Sequence, residues 1–368
     1  MDTTEFNGAD QAVADRPPCD SAAGVSAYQQ AMIAHQVQPG SKRVGLAGHV
    51  FKWLGAACGV FLLVIFVQIA TGLVGGIAIG VINGLGLNGG KDATDEVMEW
   101  LMIAMQLSLF AVAFPWWHYV RKRSFLRARQ IASDGSSRKG SIALRVVGIV
   151  FIGVCLQVLI SVMLTLWFAL FPEVGNEYNE MMSDAGFDVL SVMSLVTTVL
   201  GAPIVEEIAL RGLTLEFALR AFSRASHALW ELPRRRVVHG DAAAAAAERA
   251  EFAAVSRDVR MTPEAFWFAN VVQALLFGVL HMNLVQGTYA FFIGMVLGVV
   301  VWKTGKLRYS MLLHLTLNLS SFFLGVFDFV STTPEYVMLT LVIALVGLAG
   351  AVMFAYGCPV DERDLESA

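Results

Sequence analysis

Charged and polar residues interrupt an apolar stretch at Glu206, Glu207 and Arg211. Glu207 and Arg211 are four residues apart, so on a helix they share a face in the order that favours an ion pair. Glu206 points about 100° away on the same helix and has no partner there. An unpaired carboxylate in apolar surroundings can accept a proton, which makes Glu206 the candidate general base.

Two further groups place imidazoles in apolar stretches. His281 ends one stretch and shares a helix face with Phe277, while His314 and Asn318 share a face of another. Both His314 and Asn318 can donate hydrogen bonds to an oxyanion. A single intramembrane histidine or asparagine can equally hold helices together, so the functional interpretation depends on the groups occurring together.

The elements that must position these residues are membrane-spanning helices. The 368 residues are 56% hydrophobic and 15% charged, whereas soluble domains carry about a quarter charged residues. Apolar runs of about 20 residues are long enough to cross a hydrocarbon core of about 30 Å as helices. The alternation of a β-barrel is missing, so the sequence predicts an all-α polytopic membrane protein. About eight spans are predicted, at residues 52–82, 97–119, 143–170, 189–222, 264–283, 285–302, 309–329 and 336–356.

The fourth predicted span is too long for one crossing. Gly201-Ala202-Pro203 predicts a break, with a shorter or re-entrant piece at 189–200 and a new helix that begins at Pro203. The predicted organisation has five parts: a disordered polar tail (1–45), an eight-helix membrane domain (46–356), the chemical motifs inside it (195–325), an Arg/Ala-rich insertion (223–262) and an acidic tail (357–368).

The loops alternate between basic and acidic. By the positive-inside rule, this pattern predicts an integral protein of the cell membrane with both termini and the 223–262 insertion in the cytoplasm. The net charge of −4, with basic residues confined to loops, gives no indication of nucleic-acid binding. Five amides in the spans are interpreted as packing or cavity-lining groups: Gln68, Gln106, Gln157, Asn270 and Gln273. Glu216 is interpreted as a residue of the cavity entrance.

The rise along a helix raises a difficulty of depth. At 1.5 Å per residue, His281 lies about 27 Å from Pro263, while His314 lies only about 8 Å beyond Arg308. The two histidines meet only if the turn at 303–308 dips into the bilayer or the fifth span begins outside it.

The three motifs together, Glu-Glu-x-x-x-Arg-Gly, Phe-x-x-x-His and His-x-x-x-Asn, resemble those of the CPBP family. This family contains the CAAX prenyl endopeptidases of the Rce1 type and their bacterial relatives, which are intramembrane metalloproteases. The resemblance covers about residues 195–325, and Ala209 stands where the family often has an aromatic residue.

The resemblance implies a role for each motif residue. Glu206 would activate water with help from His281, Glu207 and Arg211 would organise the site, and His314 with Asn318 would stabilise the oxyanion. The implied substrate is a membrane-associated peptide or membrane protein.

Metal dependence and two other functions remain open. Glu206, His281 and His314 could supply three zinc ligands with a free water position, but a carboxylate–imidazole pair could also activate water without metal. Intramembrane ionisable residues also occur in transporters and proton-coupled carriers, which usually have paired broken helices. A catalytically silent scaffold of the same fold is the third alternative.

Overall fold

The computed structural model describes residues 46–87, 94–134, 141–184, 191–223, 262–324 and 333–358, and four single positions between 246 and 253. The described residues are helical and contain no strand. The predicted tail at 1–45, nearly all of the 223–262 insertion and most of the 357–368 tail lie outside them.

The long helices closely follow the predicted spans. They are α1 (Leu46–Gly84), α2 (Thr94–Val120), α4 (Ile142–Leu170), α6 (Val192–Phe222), α7 (Pro263–Leu280), α8 (Leu284–Thr304), α9 (Leu307–Leu324) and α10 (Pro334–Gly357). Seven of the described helices are long and apolar enough to cross a membrane, which makes the chain an integral membrane protein. The exception is α9, which corresponds to the seventh predicted span (309–329) and is less apolar because it carries Arg308, His314, Asn318 and several serines.

Two shorter helices, α3 (Phe125–Asp134) and α5 (Pro172–Asp184), lie in segments that the sequence analysis treated as loops. The backbone N–H of Phe125 at the start of α3 donates to Glu216 Oε2 of α6 at 3.0 Å. Glu216 is fully buried and also pairs with Arg220 at 3.0 Å. The interpretation of Glu216 as an entrance residue is therefore wrong, since its carboxylate caps a neighbouring helix.

The helix α6 lies at the centre of the bundle and packs against α1, α2, α7 and α9, while α4 packs against α9 and α10. The amides of α7 serve its packing on α8: Asn270 Nδ2 donates to the Met295 carbonyl at 3.0 Å, and Gln273 Nε2 donates to the Gly294 carbonyl at 2.8 Å. Both residues are fully buried, in agreement with the packing interpretation.

The helices α7 and α8 approach closely where His281 must be positioned. A Cβ added to Gly278 would lie 2.6 Å from the carbonyl oxygen of Gly287 on α8. Small residues permit such close backbone contact between membrane helices. The contact sets the height at which α7 ends, and therefore the height of His281.

We expect Gly278→Ala to destabilise the protein by about 1–3 kcal/mol, because the added methyl forces α7 and α8 apart. Gly55→Ala on α1 is the matched control, since a Cβ there meets nothing within 4 Å. Thermal unfolding in detergent measures both. A Gly278 variant as stable as the Gly55 variant would contradict the close contact.

Candidate active site

The backbone of α6 widens twice around the acidic motif. Leu195–Gly201 and Glu207–Thr214 are π-helical, and the Thr214 hydroxyl donates to the Ala209 carbonyl at 3.0 Å within the second stretch. Helical structure continues through Gly201 and Pro203, so the predicted break is wrong. The wider turn accommodates a proline that would clash inside a regular α-helix.

Pro203 leaves one carbonyl of α6 available to another helix. The N–H of Ala202 bonds to the Thr197 carbonyl five residues back, and Pro203, which comes next, has no N–H to offer Thr198. The Thr198 carbonyl instead accepts from Asn318 Nδ2 of α9 at 2.9 Å. The proline thus creates the acceptor that orients Asn318, and the second N–H of the amide remains free to donate elsewhere.

The charged centre of the site is a buried network on Glu207. Its Oε1 lies 2.9 Å from Arg211 Nη1 and 3.1 Å from His314 Nδ1. Glu207 and Arg211 have no solvent exposure. The Arg211 guanidinium lies over the Phe277 ring, with its carbon 4.4 Å from the ring centroid, a cation–π arrangement. The predicted Glu207–Arg211 pair is present, and it includes a histidine of α9 that the sequence did not indicate.

Glu206 shares the same histidine from the other side. Its Oε2 lies 3.8 Å from His314 Nε2, and its side chain is 24% exposed while that of Glu207 is closed to solvent. The two acids therefore lie beside the same imidazole, Glu207 at Nδ1 and Glu206 nearer Nε2. Glu206 forms no close ion pair on its own helix, but Arg211 of that helix attracts its charge, so the prediction that it has no partner there is only partly correct. Its neighbour on α9 is His314.

His281 caps the end of α7 and has a defined tautomer. Its Nδ1 lies 2.9 Å from the Phe277 carbonyl, which can only accept, so Nδ1 carries the proton and Nε2 of the neutral ring is an acceptor. The next residue, Met282, has a positive φ of 50°, which turns the chain sharply into α8. Both His281 and His314 lie edge-on to the Phe277 ring, with centroid distances of 4.9 and 5.8 Å. The two histidines therefore meet around one ring, despite the mismatch in depth.

Four of the predicted residues line one cavity of about 430 Å³: Glu206, His281, His314 and Asn318. Glu207 and Arg211 are not among its lining residues, so they support it from behind. Gln106 and Gln157 also line the cavity, in agreement with their interpretation from the sequence as packing or cavity-lining groups. Four further polar lining residues were not identified from the sequence: Tyr178, Gln286, Tyr289 and Ser321. The Tyr178 and Tyr289 hydroxyls are 3.2 Å apart, and burial raises the pKa of Tyr178, which lies on α5 outside the spans.

The side chains around the cavity include types that bind zinc, but they are not arranged around one point. In each histidine Nδ1 is held by an oxygen acceptor, as is common for zinc ligands. However, among the described residues no three His, Cys, Asp or Glu side chains converge closely enough to hold a metal ion. The predicted ligand set of Glu206, His281 and His314 thus lacks a converged geometry here, and metal dependence remains to be measured.

The fold and the site define a polytopic helical membrane protein with an acid–imidazole cavity between its helices. Residues 188–320, about a third of the chain, match the model of the family described as type II CAAX prenyl endopeptidase Rce1-like. The matched segment contains all six predicted site residues. Neither a curated protein nor a solved structure matches the chain.

We expect Arg211→Ala to cost about 3–5 kcal/mol of stability, because it leaves the buried Glu207 carboxylate without its cationic partner. Glu206→Gln should leave stability unchanged or raise it, since this carboxylate faces the cavity. Thermal unfolding in detergent compares the two variants. Small and equal effects would show that the buried pair contributes nothing to folding.

Proposed function

We propose that the protein is an intramembrane endopeptidase that hydrolyses a peptide bond in a membrane-associated peptide or protein. The observation that carries this proposal is the gap of 3.8 Å between Glu206 Oε2 and His314 Nε2 at the cavity wall. This separation is too long for a direct hydrogen bond, but one oxygen atom can contact both groups. Such an oxygen would belong to water or to the tetrahedral intermediate.

Glu206 is the proposed general base. Of the two adjacent glutamates, it alone lines the cavity, and the close ion pair of Arg211 is with Glu207 and not with Glu206. His281 offers an unprotonated Nε2 from the far side of the Phe277 ring, which can accept the second hydrogen of the same water. Glu206 takes one proton as the water oxygen attacks the carbonyl carbon, and returns it to the leaving nitrogen when the C–N bond breaks.

His314 and Asn318 are the proposed oxyanion donors. Asn318 is oriented by the Thr198 carbonyl and keeps one N–H for the cavity. His314 lies among the carboxylates of Glu206 and Glu207 and the guanidinium of Arg211. These four side chains have no net charge when the imidazole is protonated at both nitrogens. His314 then donates from Nδ1 to Glu207 and from Nε2 towards the cavity. Donors fixed before the reaction stabilise developing charge effectively.

The alternative of a transporter has less support. Discontinuous helices in matching positions mark many transporter sites, whereas α6 is helical through its predicted break. The silent scaffold would need a site with missing or misplaced residues, and Glu206, His281, His314 and Asn318 all line one cavity.

We expect Glu206→Gln to lower turnover by about 10²-fold or more, because the amide cannot accept the proton. Cleavage of a quenched fluorescent peptide library by the purified protein in detergent provides the measurement. Glu335→Gln, at the exposed start of α10, is the matched control and should keep full activity. Normal cleavage by the Glu206 variant would remove this residue from the mechanism.

The metal question has a separate test. Because three donors do not converge, we expect protein dialysed against a strong chelator to retain cleavage without stoichiometric metal. Elemental analysis and activity are measured on the same sample. About one zinc per chain, lost with activity and restored by added zinc, would replace the proposed water activation with a metal mechanism.

A further inference from the structure

The active-site cavity extends towards one end of the bundle. Besides the motif residues, it is lined by Tyr178 and Met182 of α5 and by Gln286 at the start of α8. His281 lies at the tight turn between α7 and α8. The helix α5 and the turn between α7 and α8 therefore lie at the same end of the bundle as the end of α4 and the start of α6. The loop sequence between α4 and α6 is acidic.

Towards the other end the site is closed. Every residue of α6 from Glu207 to Ala221 is buried, whereas Glu206 and the turns before it include partly exposed positions. Phe277, Leu313 and Arg211 are also buried at this level. Within the part of the chain that the structure describes, α6 therefore offers water and substrate no open path from its carboxyl end.

That closed end is the basic face of the molecule. A separate cleft there is lined by the cations Arg121, Lys122, Arg127, Lys306 and Arg308, at the end of α2, the start of α3 and the turn between α8 and α9. It shares no lining residue with the active-site cavity. Under the positive-inside rule this face is cytoplasmic, so the cavity lies towards the opposite face.

We propose that the substrate is a peptide segment with positively charged flanks that enters the cavity from the extracytoplasmic face, past α5. This inference rests on the proposed peptidase function and specifies its substrate. It also excludes a cytoplasmic peptide as the substrate, because such a peptide would meet the sealed basic face.

The helix α5 supplies the charge selection at the entrance. The inner side of α5 faces the cavity, where the Tyr178 hydroxyl lies 3.2 Å from the Tyr289 hydroxyl of α8. Glu173, Glu177 and Glu180 are exposed on the same helix, which contains no Lys or Arg. A surface of one charge beside a narrow opening attracts segments of opposite charge and repels acidic ones.

The first test measures access. Single cysteines are placed at Met182 (the mouth), Ser321 (the cavity) and Arg127 (the basic cleft), after Cys19, Cys58, Cys155 and Cys358 are replaced by Ser or Ala. Intact cells receive a membrane-impermeant charged maleimide. We expect labelling at Met182→Cys and Ser321→Cys without permeabilisation, and at Arg127→Cys only after it.

The reverse pattern would overturn the proposed access, and so would labelling of Ser321→Cys only after permeabilisation. Two independent positions report on the cavity side, so one variant that fails to accumulate leaves the test intact. The labelling requires no catalysis, and therefore its outcome is independent of whether the protein is a peptidase.

The second test measures charge selection by the full-length protein in detergent. Peptides of one scissile sequence carry either Lys or Glu flanks, and we expect Lys-flanked peptides to be cleaved at least 5-fold faster, in line with the roughly 10-fold and larger effects of electrostatic steering. The combined variant Glu173→Gln, Glu177→Gln and Glu180→Gln should lose this preference while its rate on an uncharged peptide stays the same.

Equal rates on both peptides, or a preference that survives the triple variant, would overturn the charge selection. Cleavage that depends on Glu206 would still support the peptidase in that case. Conversely, if no peptide is cleaved, the proposed function is contradicted. The labelling pattern still shows from which face of the membrane the cavity is reached.

Discussion

The buried carboxylate of Glu207 is the interaction on which the rest of the site depends. One oxygen lies within 3.1 Å of both Arg211 on its own helix and His314 on α9. Removing either partner would leave a charge in surroundings where an unpaired ion costs several kcal/mol. Since Arg211 also lies over Phe277, the same carboxylate indirectly fixes α7 and the histidine at its end.

Burial gives two adjacent glutamates different tasks. Glu207 is enclosed and has its charge balanced, so it can only hold its neighbours in place. Glu206 is one residue earlier, reaches the cavity and keeps part of its surface open. Both acids lie beside the same imidazole. Exposure to the cavity, rather than residue type, distinguishes them.

The sequence predicted most of the spans closely, but it did not predict the contacts that join the candidate site residues. Runs of apolar residues located α4 and α10 to within about two residues, because lipid leaves a helix as the available structure. The π turns of α6 depend on alternative backbone bonds and on Asn318, a partner more than a hundred residues away. The helices α3 and α5 were not predicted because they contain no long apolar run. The contact of Glu216 was not predicted because its partner is a backbone N–H, which no sequence pattern marks.

The Thr198 carbonyl has no donor within α6, and this has a consequence for how the cell makes the protein. In hydrocarbon an unpaired carbonyl costs several kcal/mol, and α6 also carries Glu206, Glu207 and Arg211. Two of the groups that contact them, His314 at Glu207 and Asn318 at the Thr198 carbonyl, are synthesised only after α7 and α8. During biogenesis α6 must therefore remain beside the translocation machinery or another protein surface until α9 emerges. A chain truncated before α9 would expose an unstable helix to the quality-control proteases of the membrane.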